Sequence, residues 1–137
     1  MQTQLNPYIG FKGNAREAME FYQSVFGGKL ELHTFKEYHA AHDPSEEDNI
    51  MHSMLQADNG ITFMASDTPT GMDYKPGTNI SMSLSGDNEE ELRGYFDKLS
   101  AGGTMAVPLR KAEWGDTFGM FSDKFGIQWL VNITAKK

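Results

Sequence analysis

The sequence contains no cysteine, and this absence excludes three kinds of chemistry. None of the 137 residues is a cysteine, so thiolate catalysis, cysteine-ligated zinc and disulfide bonds are impossible in this chain. The sequence also lacks a Gly-x-Ser-x-Gly elbow for a serine nucleophile, a Gly-x-Gly-x-x-Gly motif and a phosphate-binding loop. We therefore expect no nucleotide cofactor, and we predict no cofactor of any other kind.

Positive charge and long apolar runs are also scarce. The chain has 12 lysines and arginines against 19 acidic residues, for a formal net charge of -7. Nucleic acids and anionic membranes both attract basic surfaces, so we expect neither as a partner. No apolar run approaches the roughly 20 residues of a membrane-spanning helix. Residues 1–4 form neither a basic head nor an apolar stretch, which predicts no signal peptide and a cytoplasmic protein.

What the sequence does contain is a pattern of elements that occurs twice. The first half predicts a strand over 5–11, a helix ending near Phe26, and strands over 30–35, 50–57 and 61–66. The second half predicts a strand over 79–84, a helix ending near Leu99, and strands over 104–110, 116–122 and 127–133. The order is βαβββ twice within one domain of residues 1–137. Module one covers about 3–68 and module two about 77–134, joined by a connection over 67–77.

Local signals mark where these elements begin and turn. Asn14 is expected to cap the first helix, with Glu17 completing a capping box, and Asp87 is expected to cap the second. Asp58-Asn59-Gly60 predicts one hairpin turn, and residues 123–126 predict another.

Both halves contain segments that resemble one known superfamily. The first half contributes Pro7-Tyr8-Ile9-Gly10-Phe11, residues 18–28 and Ile50-Met51-His52-Ser53, and the second contributes residues 76–80, 114–120 and 123–129. Together they resemble the vicinal oxygen chelate superfamily of glyoxalases, bleomycin-resistance proteins and dioxygenases, in its PhnB-like branch. The resemblance implies an α+β fold in which the two modules form a curved eight-stranded mixed sheet around a cleft. A methyltransferase label is sometimes attached to this branch, but the missing Gly-x-Gly-x-x-Gly motif offers no support for the usual dinucleotide-like methyltransferase fold.

The resemblance also implies where a metal ion would be bound. Catalytic members hold a divalent ion with one histidine and one glutamate from each module, on its first and fourth strands. Here those positions fall at Pro7, at Asn79 (or Ile80), and near Met64 and Leu130. Proline has no donor, and leucine and the thioether of methionine are poor ligands for a hard cation. We therefore predict no metal site.

The remaining histidines and acidic residues give three lesser candidates. His52 begins the third strand and matches a family position, so it is the best polar candidate for the cleft. His39 and His42 precede an acidic run and could form a metal-binding loop, although a solvated acidic loop is the better interpretation. Glu113, beside Trp114, is the most suggestive carboxylate, with a surface role favoured, and His33 is expected at the surface.

Apolar and aromatic side chains are plentiful, with 9 methionines, 9 phenylalanines, 5 tyrosines and 2 tryptophans. Most must form the core, but some should line the cleft, where methionine adapts to ligands of several shapes. Trp114 could act as a flap over the cleft or pack on the sheet edge. The ligand-binding candidates are Tyr8, Phe11, His52, Met54, Met64, Asn79, Trp114, Phe121 and Trp129.

These observations favour a metal-free protein that binds a small organic molecule, and the acidity of the chain favours a cationic one. The alternative is a metal-dependent lyase, isomerase or dioxygenase whose rearranged site uses His52. A module that binds another protein is the third hypothesis, and nothing in the sequence supports it. The resemblance further implies a homodimer, with the modules paired either within one chain or between two.

Overall fold

Each half of the chain builds its own four-stranded sheet with one helix packed on it. The computed structural model describes residues 3–135, and it divides into two units between Lys75 and Pro76. This boundary lies inside the predicted connection over 67–77, of which residues 68–77 contain no helix or strand. Each unit is described below by itself.

The first unit contains four strands and one long helix. They are β1 (Tyr8–Phe11), α1 (Ala15–Phe26), β2 (Lys29–Thr34), β3 (Ile50–Gln56) and β4 (Thr62–Asp67), with a short 3₁₀ helix at Pro44–Glu46 before β3. The strand order is β1-β4-β3-β2, in which β1 and β4 are parallel and the other pairs are antiparallel.

The second unit repeats this arrangement. Its elements are β5 (Met82–Gly86), α2 (Glu89–Ser100), β6 (Thr104–Lys111), β7 (Thr117–Ser122) and β8 (Gln128–Ile133). The order is β5-β8-β7-β6, again with one parallel pair, β5 and β8. The predicted α+β class with two tandem βαβββ modules is confirmed, while the joining of both sheets around one cleft stays a prediction.

The core of the first unit lies between α1 and one face of its sheet. Apolar residues recur on α1 at helical spacing, and their buried side chains meet every second residue of β4. The Tyr22 and Phe63 rings lie 5.4 Å apart, edge to face, and those of Phe26 and Phe63 lie 6.2 Å apart. The alternation along β4 therefore divides the sheet into a face that packs on α1 and a face turned away from it.

The second unit builds its core in the same way with fewer large residues. Leu92, Phe96 and Leu99 form the buried stripe of α2. The Phe96 ring meets Phe121 of β7 edge to face at 4.9 Å. A Cβ added at Gly119 of β7 would lie 2.6 Å from the Phe96 ring, so the absence of a side chain there lets the helix approach the sheet.

The two helices are capped differently from the sequence-based expectation. Asn14 is the N-cap of α1, but its side chain makes no capping hydrogen bond. Instead Asp67 Oδ1 accepts from the backbone N–H groups of Gly13 and Ala15, at 2.8 and 2.9 Å. The predicted capping box is absent from α1 because a carboxylate from β4 satisfies the end of this helix.

The prediction of Asp87 as the second cap is wrong by one residue. Asn88 is the N-cap of α2, and its Oδ1 accepts from the backbone N–H of Glu91 at 3.1 Å. Its Nδ2 donates back to Glu91 Oε2 at 3.2 Å. This pair resembles a capping box, but the return bond comes from the Asn88 side-chain amide and not from its backbone N–H.

Both hairpin predictions are confirmed and have the same hydrogen bonds. Ala57 N–H donates to Ile61 and Gly60 N–H to Ala57, while Asp123 N–H donates to Ile127 and Gly126 N–H to Asp123. Gly60 and Gly126 share a φ of 86°, a value that glycine adopts without steric cost.

Candidate functional site

The face of the first sheet turned away from α1 carries four of the nine predicted ligand-binding residues. We call it the far face of the first sheet and define it by Tyr8, His33, His52, Met54 and Met64. Met64 is the register partner of both Tyr8 on β1 and Met54 on β3. Since cross-strand partners point to the same face, these three side chains form one row across the sheet.

The rings of Tyr8, His52 and His33 form a line, the ring row, that runs diagonally from the Tyr8–Met64–Met54 row to the neighbouring one. The Tyr8 and His52 rings lie 6.3 Å apart, and the His52 ring stacks on His33 at 6.4 Å with an angle of 23° between their planes. Tyr8 is 52% exposed, and His33 and His52 are half-buried. The prediction that His52 lies on a strand is confirmed. His33 was expected at the surface, and its stacking on His52 was not predicted.

Glu37 and Tyr38 extend the ring row at the end of β2. His33 Nδ1 lies 3.0 Å from Glu37 Oε2, and the Tyr38 ring meets His33 at 5.9 Å, edge to face. The hydrogen bond with His33 is the main cause that holds the pKa of Glu37 below its usual value. An ionised carboxylate therefore orients one imidazole of the far face, and the predicted residues did not include it.

The second sheet presents a corresponding far face of different composition. Phe118, Met120 and Leu130 lie on the side opposite α2, with Met120 and Leu130 as register partners. The Trp114 ring meets Phe118 at 5.7 Å, although Trp114 itself is 64% exposed. These three residues are apolar, but Asn132 lies on the same face as the register partner of Phe118. The second half of the sequence contains no histidine.

A carboxylate fixes the loop that carries Trp114. Asp116 Oδ2 accepts from Asn132 Nδ2 at 3.0 Å, and Oδ1 accepts from the backbone N–H of Ala135 at 3.1 Å. These bonds, the one from Asn132 first, lower the pKa of Asp116. They hold the β6–β7 loop against the end of β8.

Three of the predicted ligand-binding residues lie instead on the helix-packed faces. Phe11, Phe121 and Trp129 are no more than 2% exposed. Phe121 packs on α2, and Trp129 Nε1 donates to Asp123 Oδ2 at 2.9 Å. Strand alternation explains their placement, because side chains an odd number of residues apart along a strand point to opposite faces of the sheet. They serve the core of their units, and we leave them out of the site.

The remaining predicted residues lie in exposed segments. Asn79 precedes the second sheet, because β5 begins at Met82 rather than at residue 79. His39 and His42 are exposed in the loop before β3, and Glu113 is exposed beside Trp114. Asp43 of the same loop accepts from the N–H and hydroxyl of Ser45, so this carboxylate stabilises a turn.

The residues at the four ligand positions implied by the superfamily do not fit a divalent metal ion. Pro7 lies before β1 and Asn79 before β5, while Met64 and Leu130 present thioether and hydrocarbon side chains. A divalent metal ion of this kind needs carboxylate or other oxygen ligands, or imidazole nitrogen, in their place. Within residues 3–135, no three histidine, aspartate or glutamate side chains are grouped so as to hold a metal ion.

Comparison with known proteins identifies the family of the chain. The family model described as 3-demethylubiquinone-9 3-methyltransferase matches residues 3–132. The chain belongs to this family. Protein PA1353 of Pseudomonas aeruginosa, a solved structure, is 34% identical, with coverage of 98% of this chain and 100% of that one, and a TM-score of 0.83.

Two further relatives support membership of the family over the whole chain. Protein YjdN of Escherichia coli is 26% identical, with 97% of each chain covered. A PhnB protein from Bacillus cereus is 25% identical over 96% of this chain and 100% of that one, with a TM-score of 0.76. These comparisons confirm the resemblance to the PhnB-like branch.

The fold likeness extends beyond the family to the superfamily. A glyoxylase/bleomycin resistance protein/dioxygenase domain from Frankia is 12% identical, with 99% of this chain and 94% of that chain covered and a TM-score of 0.67. At that identity the likeness concerns the fold alone. Neither helix among residues 3–135 is long and apolar enough to cross a membrane.

Proposed function

We propose that this family member binds a small, flat organic molecule on the far face of the first sheet, without the divalent metal ion of catalytic superfamily members. The observation that carries the proposal is the row of Tyr8, His52 and His33 rings beside Met54 and Met64. Rings and thioethers on one surface offer both stacking and adaptable packing to a planar ligand.

The far face also offers polar groups that would orient such a ligand. The imidazoles of His33 and His52 and the hydroxyl of Tyr8 can each donate or accept a hydrogen bond. Glu37 and the net charge of -7 add negative potential, which favours a cationic molecule over an anionic one.

Titration with two dyes of opposite charge tests this proposal. We expect proflavine, a planar cation, to bind more tightly than the anion anilinonaphthalenesulfonate, as measured by fluorescence. Aromatic contacts contribute about 0.5–1.5 kcal/mol each, so Tyr8→Ala should weaken proflavine binding roughly three- to tenfold.

The matched control removes an exposed tyrosine from a different surface. Tyr74 is 37% exposed in the segment between the units, and Tyr74→Ala should leave the affinity unchanged. Equal losses in the two variants, or no binding of either dye, would contradict the proposal.

The metal-free part of the proposal has its own measurement. We expect elemental analysis of the purified protein to find far less than one metal ion per chain. One equivalent of zinc, nickel, manganese or iron would instead support the alternative of a metal-dependent lyase, isomerase or dioxygenase. In that case, loss of the metal in His52→Ala would place the ion at this face.

The description of the matched family makes methyl transfer a further outcome to test. S-adenosylmethionine is the probe, and we expect no heat of binding by calorimetry, in keeping with the absent Gly-x-Gly-x-x-Gly motif. Binding of this cofactor would favour a methyltransferase over a simple binding protein.

We also propose that the protein is a cytoplasmic homodimer, as the family resemblance and the sequence led us to expect. Size-exclusion chromatography with light scattering measures the mass directly, and twice the 15.3 kDa of one chain is the expected result. Cell fractionation tests the location.

A further inference from the structure

We propose that a cavity in the first unit, separate from the far face, binds a small zwitterion carrying one ammonium and one carboxylate group. The cavity has a volume of about 270 Å³, near the lower end of small-molecule pockets at about 300 Å³. Three segments border this half-open cavity, namely the turn before α1, the loop before β3 and the chain after β4. The residues that carry the argument are Lys12, Glu46 and Thr70.

Glu46 is the residue that points to a ligand. Glu46 is one of the residues that line the cavity, and it is only 6% exposed. Its Oε1 accepts from both the backbone N–H and the hydroxyl of Thr70. Its Oε2 is buried and has no hydrogen-bond partner in the part of the chain that the structure describes. A buried carboxylate oxygen left without a donor is costly, so a donor from a bound molecule would stabilise it.

The charge of Glu46 determines which kind of donor is favoured. The two hydrogen bonds from Thr70 hold the pKa of Glu46 below its usual value, so the carboxylate is ionised at neutral pH. Hydrogen bonds between a charged donor and a charged acceptor are roughly twice as strong as neutral ones. An ammonium group supplies both the donor and the opposite charge.

Lys12 is the reason that the proposed ligand is a zwitterion and not a simple cation. It lines the same cavity and is exposed, and it forms no ion pair with any residue in 3–135. Its positive charge would repel a lone ammonium ion but attract a carboxylate. One cavity thus presents two opposite charges that do not pair with each other, and an amino-acid-like molecule carries the complementary pair.

The second unit provides an internal control for this site. A cavity of about 280 Å³ occupies the equivalent place at the start of α2, with Glu89 and Lys111 among its lining residues. Among the described residues, the buried oxygen without a partner belongs to Glu46 and to no residue of this second cavity. We therefore expect binding in the first unit only.

A series of ω-amino acids tests the proposal by nuclear magnetic resonance. Glycine, β-alanine and 4-aminobutanoate carry the same two charges at increasing separation, and propylammonium and butanoate each carry one. We expect at least one amino acid of the series to shift the backbone amide signals of Asn49, Thr70 and Gly71, with millimolar affinity. The singly charged molecules should bind more weakly.

Two variants test whether the charges of Glu46 and Lys12 each contribute to binding. Glu46→Gln keeps the shape and an acceptor for Thr70, and Lys12→Gln removes the exposed ammonium; each should weaken binding at least about tenfold. Glu89→Gln and Lys111→Gln make the same changes in the second cavity and should have no effect. If Glu46→Gln does not fold, Lys12→Gln still tests the proposal, because Lys12 is exposed and forms no ion pair within residues 3–135.

Three outcomes would overturn the proposal. In the first, no member of the series shifts the cavity amides, as expected if Lys12 closes on Glu46 in solution. In the second, propylammonium binds as tightly as the best amino acid, which would remove any role for Lys12. In the third, the control variants weaken binding as much as the cavity variants do. Signals of His52 and Met54 report the far face separately, so failure here is distinguishable from failure of the proposed function.

Discussion

At the scale of single residues, Asp67 connects three stretches of backbone in the first unit. Besides the N–H groups of Gly13 and Ala15, its carboxylate accepts from Ile50 N–H at 2.8 Å. Asp67 is 2% exposed, so water cannot take the place of its two carboxylate oxygens as the acceptor. The start of α1, the start of β3 and the end of β4 are therefore fixed by one side chain.

We expect Asp67→Asn to destabilise the protein by about 2–3 kcal/mol, because the amide nitrogen cannot accept and leaves buried N–H groups unsatisfied. Urea denaturation measures the loss. Asp73→Asn is the control, since its pair with Lys75 at 3.7 Å is exposed and such pairs contribute little. Similar losses in both variants would show that Asp67 contributes no more than a surface charge does.

Asp116 should make the stability of the protein depend on acidic pH. Its bonds with Asn132 and Ala135 lower its pKa from the ordinary value of 3.8. A lowered folded-state pKa means that the stabilisation is fully present above 3.8 and is lost as pH falls through the folded value. The expected result is a smaller loss of stability on acidification in Asp116→Asn than in wild type, measured by urea denaturation at a series of acidic pH values.

The control for this pH dependence is Asp97→Asn on the exposed side of α2. It removes one carboxylate without touching the loop that Asp116 fixes. If Asp97→Asn flattened the acid dependence as much as Asp116→Asn, general charge repulsion would explain the result instead.

At the scale of elements, the two helices should respond differently to loss of their N-cap side chains. Asn88→Ala removes the bond to Glu91 N–H and should cost about 1 kcal/mol. Asn14→Ala should be close to neutral, because the Asn14 side chain makes no capping bond. Thermal denaturation of the two variants distinguishes them, and a larger effect at Asn14 would contradict the assigned caps.

Two glycines of the second unit should give opposite results on substitution by alanine. At Gly119 the new Cβ would lie 2.6 Å from the Phe96 ring and 3.1 Å from Leu109 Cα, and overpacking of this kind costs about 1–3 kcal/mol. Gly94 lies within α2 with no atom within 4 Å of a new Cβ, so Gly94→Ala should stabilise the helix by about 0.5–1 kcal/mol. The two unfolding free energies measure this difference, and losses in both would contradict the packing described.

The elements themselves could be predicted from the sequence because their signals are local. Helical spacing on α1 and the Gly60 and Gly126 turns specify structure within a few residues. The stacking of His33 on His52 could not be predicted, because residues 35–49 separate β2 from β3 and leave their register open. The Asp67 carboxylate that accepts from the start of α1 was missed for the same reason, since Asp67 lies more than fifty residues from Gly13 along the chain.

The candidate site was predicted in part, and alternation along the strands explains the division. Tyr8, His52, Met54 and Met64 share one face, while Phe11, Phe121 and Trp129 occupy the opposite faces of their sheets. Composition shows that a segment is apolar, but a shift of one residue exchanges the two faces. Only the register between strands resolves which residues are available to a ligand.

At the scale of the whole molecule, the two units have cores of unequal size. Among residues 3–135, thirteen apolar residues of the first unit are buried against seven of the second. Burial of apolar side chains is the main favourable contribution to folding. The buried carboxylates do not alter the comparison, because Asp67 accepts three hydrogen bonds in the first unit and Asp123 accepts three in the second.

We therefore expect the second unit to open more readily than the first. Native-state hydrogen exchange measures this as the free energy of opening at single amides. Leu55 of β3 and Val131 of β8 make a matched pair, since both lie in inner strands and are 0% exposed. Slower exchange at Leu55 is the expected result, and faster exchange there would contradict the argument from core size.

Both tryptophans of the chain belong to the second unit, and their surroundings differ. Trp129 is 2% exposed and bonded to Asp123, whereas Trp114 is 64% exposed. Intrinsic emission thus reports selectively on one half of the molecule, and a soluble quencher such as acrylamide should reach Trp114 while sparing Trp129. Four of the five tyrosines lie in the first unit, so tyrosine emission reports mainly on that half, and a disagreement between the two wavelengths during denaturation would reveal stepwise unfolding.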